Sequence, residues 1–116
     1  MTAAEIIARA GAFLAQPGAW GTGCLAVDRK GNPCEPAVKR AQRWCALGAL
    51  YEVTGIMTTK TWEDAGLCRA IAYLDVAAGV LHKRTIEAVN DELGHAAVME
   101  VYRRAWVEAK ASTRED

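Results

Sequence analysis

The sequence predicts a mainly α-helical domain: a compact bundle of four long helices and one short helix, with a single β-hairpin insertion. Three observations lead to this prediction. Apolar residues recur at helical spacing through most of the 116-residue chain, glycines concentrate around residues 18–31, and Gly or Pro follows most of the helical segments. The length allows one core. We therefore expect a single helical domain over residues 1–110 and a frayed polar tail over residues 111–116.

The first helix begins with a capping box. Thr2 and Glu5 have the T-x-x-E spacing in which the two side chains satisfy each other's backbone N–H groups. An apolar stripe that starts at Ile6 gives this helix a buried face. The helix should end near Gln16, because Pro17 disfavours helical geometry at the residue before it.

A glycine-rich segment from Ala19 to Cys34 interrupts the helical pattern. Its single apolar run is at 25–27, and the sequence from Asp28 to Asn32 is typical of a tight turn in which Gly31 takes a positive φ. We predict a β-hairpin or a strand-like loop here. Trp20 is the residue expected to anchor it against the helices, because an isolated hairpin is marginally stable.

Residues 36–55 predict the helix around which the rest is organised. Five residues lie at i, i+4, i+7, i+11 and i+14 on one face: Ala37, Ala41, Trp44, Gly48 and Tyr51. Pro36 suits the first turn of a helix and Gly55 suits its C-terminal cap. Gly48 costs roughly 1 kcal/mol in a helix interior relative to Ala. We therefore expect another backbone to approach closely at that point.

Three helical segments complete the predicted bundle. A long helix starts at Thr61 and runs to about His82, a short turn follows Thr85 as its cap, and Gly94 separates that turn from a final helix. The final helix has a regular apolar stripe: Val98, Val101, Tyr102, Ala105 and Ala109.

Composition narrows the function classes. Fourteen basic and fourteen acidic residues cancel, which argues against general nucleic-acid binding but leaves room for local clusters. We expect no membrane span and no signal peptide, and hence a cytoplasmic protein. Four cysteines and two histidines, without any C-x-x-C pair, predict neither a metal site nor another cofactor.

Two segments carry a family resemblance. The first is Ala41-x-x-Trp44-Cys45-Ala46-Leu47-Gly48-Ala49-Leu50 and the second is Asn90-Asp91-x-x-Gly94-His95-x-x-Val98, with Trp20 and Gly31 ahead of both. This order resembles a small uncharacterised family of short bacterial and phage proteins with a WCALGAL helix and a later ND…GH…V segment. The resemblance covers Trp20 to Ala105, about three quarters of the chain. It implies a phage or mobile-element setting and carries over no activity.

One alternative is a cysteine-nucleophile hydrolase or transferase. Cys45, His95 and either Asn90 or Asp91 would supply the thiolate, the imidazole and the orienting group that acyl transfer requires. We favour a packed, unreactive thiol, because Cys45 falls in a predicted helix interior and activated thiols gain most from a helix N-terminus or a cation. Asp91 would instead cap the final helix or close a turn.

The preferred hypothesis is a non-catalytic binding protein of phage or mobile-element type. It would sequester a small anionic, nucleotide-like ligand or block a host protein. Lys39 and Arg43 share a predicted helix face beside Trp44, and cations next to an aromatic ring suit an anionic ligand that carries a base. A solvated face paired with Glu35 is the simpler alternative. The predicted ligand-binding set is Trp20, Lys39, Arg43, Trp44, Asn90 and His95.

A third hypothesis is a structural or assembly protein. Trp106 falls outside the stripe of the final helix, and exposed tryptophans are frequent in protein interfaces. Trp62, at a helix start, could contribute to the same interface or equally act as a hydrophobic staple. This hypothesis predicts a homo-oligomer.

Overall fold

The computed structural model describes residues 1–112. Its helices are α1 (Ala3–Leu14), α2 (Gly48–Thr54), α3 (Ala65–His82), α4 (Ile86–Ala88) and α5 (His95–Ala111). Its strands are β1 (Ala26–Asp28) and β2 (Ala41–Trp44). A 3₁₀-helix spans Thr58–Glu63 and a π-helical turn spans Val89–Leu93. The prediction of a mainly helical fold with one small sheet is confirmed, but three long helices are present in the described residues rather than four.

Helix α1 has the predicted capping box. The Thr2 hydroxyl accepts the Glu5 backbone N–H at 3.1 Å, and the Glu5 carboxylate accepts the Thr2 N–H at 2.9 Å. These bonds satisfy N–H groups that have no partner inside the helix. The helix ends at Leu14, close to the predicted stop.

The two strands form an antiparallel sheet, which we call the ribbon. The predicted turn is present: the Asp28 carboxylate accepts two backbone N–H groups beyond it, and Gly31 has a φ of +85°. The prediction for 19–34 is wrong about the second strand, which is β2. Beyond the turn, an isolated bridge joins Val27 to Pro33, the Asp28 N–H donates to the Asn32 carbonyl, and the Cys34 N–H donates to the Ala26 carbonyl.

The predicted helix over residues 36–55 is wrong in its first half. Residues 36–40 form turns, β2 follows, and only α2 is helical. Long-range backbone bonds replace the helical ones, because the Trp44 N–H donates to the Ala19 carbonyl at 2.7 Å and the Trp44 carbonyl accepts the Gly21 N–H at 3.0 Å. The close backbone approach at Gly48 is confirmed: a Cβ there would lie 1.9 Å from the Leu25 carbonyl oxygen.

Helix α3 begins later than predicted. Residues 58–63 form the 3₁₀-helix, and Asp64 caps α3 by accepting the Leu67 N–H at 2.8 Å. At the other end Lys83 takes a left-handed conformation with a φ of +55°. Helix α3 packs against α1 and α5, and α1 also packs against α2. The core between these helices contains the largest fully buried side chains: Ile6, Ile7, Leu14, Leu50, Leu67, Leu74, Ile86, Val89, Val98 and Val101.

The last part of the fold follows the prediction closely. The Thr85 hydroxyl accepts the Ala88 N–H, Gly94 has a φ of +93°, and the predicted stripe of α5 is buried. Ala111 belongs to α5 and Ser112 caps it, so the predicted frayed tail starts too early. The remainder of that predicted tail, residues 113–116, lies outside the described residues.

One helix has the length and composition of a membrane span. Helix α3 has 18 residues with a mean hydropathy of 1.2, and by itself such a helix is weak evidence against the expectation of no membrane span. Core helices of soluble proteins meet the same criterion, and α3, of which 33% is buried, packs against α1 and α5.

Candidate functional site

Asn90 joins three parts of the chain. Its side-chain oxygen accepts the indole N–H of Trp20 at 2.8 Å and the backbone N–H of Ala46 at 2.9 Å. Its amide nitrogen donates to the Gly21 carbonyl at 3.0 Å. The side chain is 1% exposed. These bonds fasten the segment before β1 and the segment after β2 to the π-helical turn, and they satisfy both ends of a buried amide.

His95 lies against the other side of Trp20. The two rings are 5.3 Å apart at their centroids with a tilt of 36°, and the imidazole Nε2 is 2.9 Å from the Leu14 carbonyl oxygen. Since a carbonyl oxygen only accepts, Nε2 donates this bond. Three of the predicted site residues, Trp20, Asn90 and His95, therefore converge; we call them the internal cluster.

Trp44 is also held by protein groups. Its ring meets Phe13 edge-on with centroids 4.6 Å apart, and its indole N–H donates to the Pro36 carbonyl at 2.8 Å. The ring is half-buried and packs against the core. This arrangement fixes β2 on α1, although no helix carries the residue.

Lys39 and Arg43 are not part of the internal cluster. Both side chains are exposed, Lys39 in the turn before β2 and Arg43 on β2 itself, so they do not share a helix face as predicted. A break in strand register places Val27 opposite Arg43 and Asp28 opposite Ala41. Such a bulge changes the direction in which neighbouring side chains point, and it leaves two successive residues of β2 exposed.

Five exposed cations lie in β2 and in the turns beside the two strands, and we call them the basic ribbon surface. They are Arg29, Lys30, Lys39, Arg40 and Arg43. Residues 26–44 contain only two carboxylates, Asp28 and Glu35. Among the residues that the structure describes, no ion pair joins any of the five cations to a carboxylate. The neutral chain therefore has a strongly positive region.

Both carboxylates of this segment accept hydrogen bonds from groups other than the five cationic side chains. One oxygen of Asp28 accepts the N–H groups of Lys30 and Asn32, each at 2.9 Å. Glu35 accepts the Thr58 N–H at 3.0 Å and the Thr58 hydroxyl at 2.6 Å, and these bonds lower its pKa. Glu35 thus binds Thr58 rather than pairing with the cations of the ribbon, as the simpler alternative had required.

Cys45 lies in a different setting from the one predicted. It follows β2 and precedes α2, and its Sγ accepts the Gly48 N–H at 3.3 Å. The thiol is buried, and burial raises its pKa above the ordinary value, although the Gly48 and Leu47 N–H groups act in the opposite direction. The reason given for an inert thiol was therefore wrong, and desolvation takes its place as the physical cause.

A small cavity of about 130 Å³ lies beside Cys45. Its walls include Cys24, Glu87, Asn90 and Asp91, and in the described part of the chain His95 is not among them. Asp91 accepts the Gly23 N–H at 3.0 Å, so it ties the loop before β1 to the π-helical turn. No side chain of the described residues caps the start of α5, so the predicted capping role of Asp91 is wrong. No group of three or more His, Cys, Asp and Glu residues suited to a metal ion occurs within residues 1–112.

A largely apolar groove lies between α3 and α5. Trp62 is 77% exposed, and Val76 and Val80 are exposed along α3. A cavity of about 490 Å³ there is lined mostly by α3, with Arg104 and Glu108 of α5 at its edge. Trp106 is partly exposed on α5, with the Lys110 ammonium 5.6 Å from its ring centroid.

The sequence did not indicate Arg29, Lys30, Arg40 or Gln42 as site residues. The turn that contains Arg29 and Lys30 was recognised, but its pairing with β2 depends on contacts that are distant in sequence. The available signal was the excess of five cations over two carboxylates in residues 26–44.

The family model of DUF6197, a family of unknown function, matches residues 1–108, and the chain belongs to this family. This match confirms the expectation that the chain belongs to an uncharacterised family. No curated protein and no solved structure matches the chain.

Proposed function

We propose that this member of the DUF6197 family is a non-catalytic binding protein for an anionic, phosphate-bearing ligand, and that the basic ribbon surface is its binding site. The observation that carries the proposal is the accumulation of five exposed cations around two carboxylates that are already hydrogen-bonded. A phosphate group offers several acceptor oxygens to such cations, and arginine can bind it through two parallel bonds.

The proposal changes the roles of the predicted ligand-binding residues. Lys39 and Arg43 remain ligand contacts. The internal cluster and Trp44 instead hold the ribbon on the helices, because their polar atoms bond to protein groups. The ligand is therefore recognised by its phosphate charge and not by stacking of a base on these tryptophans.

The setting is also part of the proposal. The family resemblance implies a phage or mobile-element protein, and sequestration of a phosphate-bearing host metabolite would suit that setting. A cytoplasmic location accompanies it. The cysteine-nucleophile alternative has less support, because Cys45 is buried and burial raises its pKa.

A titration tests the proposal directly. Pyrophosphate is added to ¹⁵N-labelled protein at low salt, and the backbone amide signals of residues 28–43 are expected to shift in a saturable manner. The double substitution Arg40→Gln with Arg43→Gln should weaken binding by about tenfold, since each lost charge-assisted contact contributes a fraction of a kcal/mol at an exposed site. The binding should weaken with added salt.

A matched control removes two exposed cations from the helices. Arg9→Gln with Arg103→Gln changes the net charge equally but leaves the ribbon intact, so its affinity should stay within about twofold of the wild type. Equal losses in the two double variants would contradict a localised site. Absence of any shift with pyrophosphate would contradict the proposed function.

Assembly is a second candidate function, favoured by the apolar groove on α3. Val76 is 63% exposed and Val80 is 56% exposed, and exposed apolar patches of this kind mark interaction surfaces. The occupant we propose is a second copy of the chain. Sedimentation velocity over a wide concentration range should then show a dimer that Val76→Glu abolishes, while Val107→Glu, on α5, leaves it intact. A monomer at every concentration would exclude this candidate.

A further inference from the structure

Two open cavities lie on the basic ribbon surface. One has a volume of about 430 Å³ and includes Arg40 and Asn32 in its lining, and the other has about 420 Å³ and includes Arg43 and Gly31. The two cavities share four residues: Asp28, Arg29, Lys30 and Gln42. They therefore adjoin each other along the turn and the strand.

The bulge in the ribbon explains this arrangement. Val27 pairs with Arg43 and Asp28 pairs with Ala41, so Gln42 is the extra residue between two paired positions. Its side chain is exposed and lines both cavities. An amide at this position can donate to an anion in either cavity.

Each of the two cavities has an arginine that the other lacks: Arg40 lines only the first and Arg43 lines only the second. Arg40 lies in the turn before β2 and Arg43 lies within β2, so their separation of three positions along the chain places their Cα atoms at most about 10 Å apart. One strand of a nucleic acid carries a phosphate about every 3.4 Å along the duplex axis. A span of about 10 Å therefore corresponds to about three successive charges of such a chain.

The lining of the cavities offers no stacking platform. Within residues 1–112, neither cavity includes an aromatic side chain in its lining. Asp28 is the one carboxylate in both, and one of its oxygens is taken up by the Lys30 and Asn32 N–H groups. The lining thus combines cations and amides, which recognise phosphate groups and do not depend on base identity.

We infer that the ligand is a linear chain of phosphates that occupies both cavities at once. This inference rests on the proposed function, and it names the ligand class for the same surface. A nucleic-acid backbone and inorganic polyphosphate share this chemistry. Binding should be independent of base sequence and strongly dependent on salt, because each neutralised phosphate releases counterions.

A chain-length series tests the inference. In calorimetric titrations at fixed ionic strength, four ligands are each added to the full-length protein. The ligands are pyrophosphate, tripolyphosphate, long-chain polyphosphate and a 12-nucleotide oligothymidylate. The affinity per molecule should rise by at least tenfold from pyrophosphate to a long chain. Arg40→Gln and Arg43→Gln should each lower long-chain affinity by at least threefold. Each should also reduce the slope of log K against log salt by about 0.7 to 1.

The control variant is Arg103→Gln, which removes an exposed cation of α5 and should leave the chain-length dependence unchanged. Whichever of oligothymidylate and polyphosphate binds more tightly would show whether the ligand is a nucleic-acid backbone or inorganic polyphosphate. Both of these outcomes support the inference. Equal affinity for pyrophosphate and for both long chains would overturn the inference while leaving the proposed function in place. Failure of pyrophosphate and both long chains to bind would overturn both together.

Discussion

Asn90 offers the sharpest test of how the ribbon is held on the helices. The side chain is buried, and it bonds to Trp20, Ala46 and Gly21, which belong to segments on both sides of the ribbon. Substitution by alanine removes all of these bonds. Substitution by aspartate keeps the acceptor oxygen but exchanges the amide donor for a second oxygen.

The magnitude for Asn90→Ala follows from the groups that lose their partner. The Trp20 indole N–H, the Ala46 N–H and the Gly21 carbonyl would each be unsatisfied, at a cost of about 1–3 kcal/mol apiece when buried. Ala46 is fully buried, whereas Trp20 and Gly21 are half-buried and can recover some water bonds. We expect a loss of about 3–5 kcal/mol in the free energy of unfolding, a large part of a typical total.

The aspartate variant, Asn90→Asp, should depend on pH. A neutral carboxyl can still donate to the Gly21 carbonyl, but a carboxylate cannot, and it would lie beside Asp91 in a buried position. The pKa of the introduced carboxyl group in the folded variant would therefore exceed the ordinary value of about 3.9. A raised pKa stabilises the fold below the unfolded-state value and loses that contribution as the pH rises. Relative to the wild type, the variant should be less stable at pH 7 than at pH 4.

The assay is urea unfolding of the wild type and both variants at pH 4 and pH 7, followed by circular dichroism at 222 nm. Asp91→Asn is the matched control, because an asparagine there can still accept the Gly23 N–H and the site is exposed. It should change the free energy of unfolding by less than about 0.5 kcal/mol. A cost below about 1 kcal/mol for Asn90→Ala, or a pH-independent cost for Asn90→Asp, would refute the reasoning.

Three further predictions concern single residues. Gly48→Ala should destabilise the protein by about 2–4 kcal/mol in urea unfolding, because its Cβ would overlap the Leu25 backbone carbonyl that precedes β1. A neutral effect would mean that the Leu25 backbone can move away from residue 48 at little cost. Glu35→Gln should lower the free energy of unfolding by about 1 kcal/mol at pH 7 and by less at pH 3. The hydrogen bonds from Thr58 lower the pKa of Glu35, so the stability that its carboxylate contributes is lost as the pH falls through that lowered pKa. An equal cost at both pH values would contradict this. Iodoacetamide at pH 7.5 should modify exposed Cys68 well before buried Cys45, as judged by peptide mass spectrometry; rapid modification of Cys45 would favour the cysteine-nucleophile alternative.

Local rules predicted the start of α1 and the segment from Thr85 through α5 well. The capping box of Thr2 and Glu5, the cap at Thr85 and the break at Gly94 each depend on residues within one helical turn of one another. The apolar stripe of α5 is similarly local, because its period alone determines which residues face the core. These elements were therefore accessible from the sequence.

The segment before α2 was not accessible in the same way. Small and aromatic residues at positions 37, 41 and 44 fit a helical period, yet each of the Trp44 backbone groups found a partner outside the segment. Hydrogen bonds to Ala19 and Gly21 compete with the helix, and local propensity contains no information about them. Gly48 was the useful exception, because its cost inside a helix indicated a close contact that the structure confirms.

The same non-local pairing determines the candidate site. A helix over 36–55 would have kept Lys39, Arg40 and Arg43 near one side and left the turn at Arg29 and Lys30 unrelated to them. The pairing of Val27 with Arg43 instead brings both sets of cations to one surface, and the bulge adds Gln42 between them. The internal cluster underlies that pairing, since Asn90 and Trp20 hold both flanks of the ribbon. Loss of the Asn90 bonds should therefore reduce phosphate binding as well as stability, although Asn90 does not line either cavity on the basic ribbon surface.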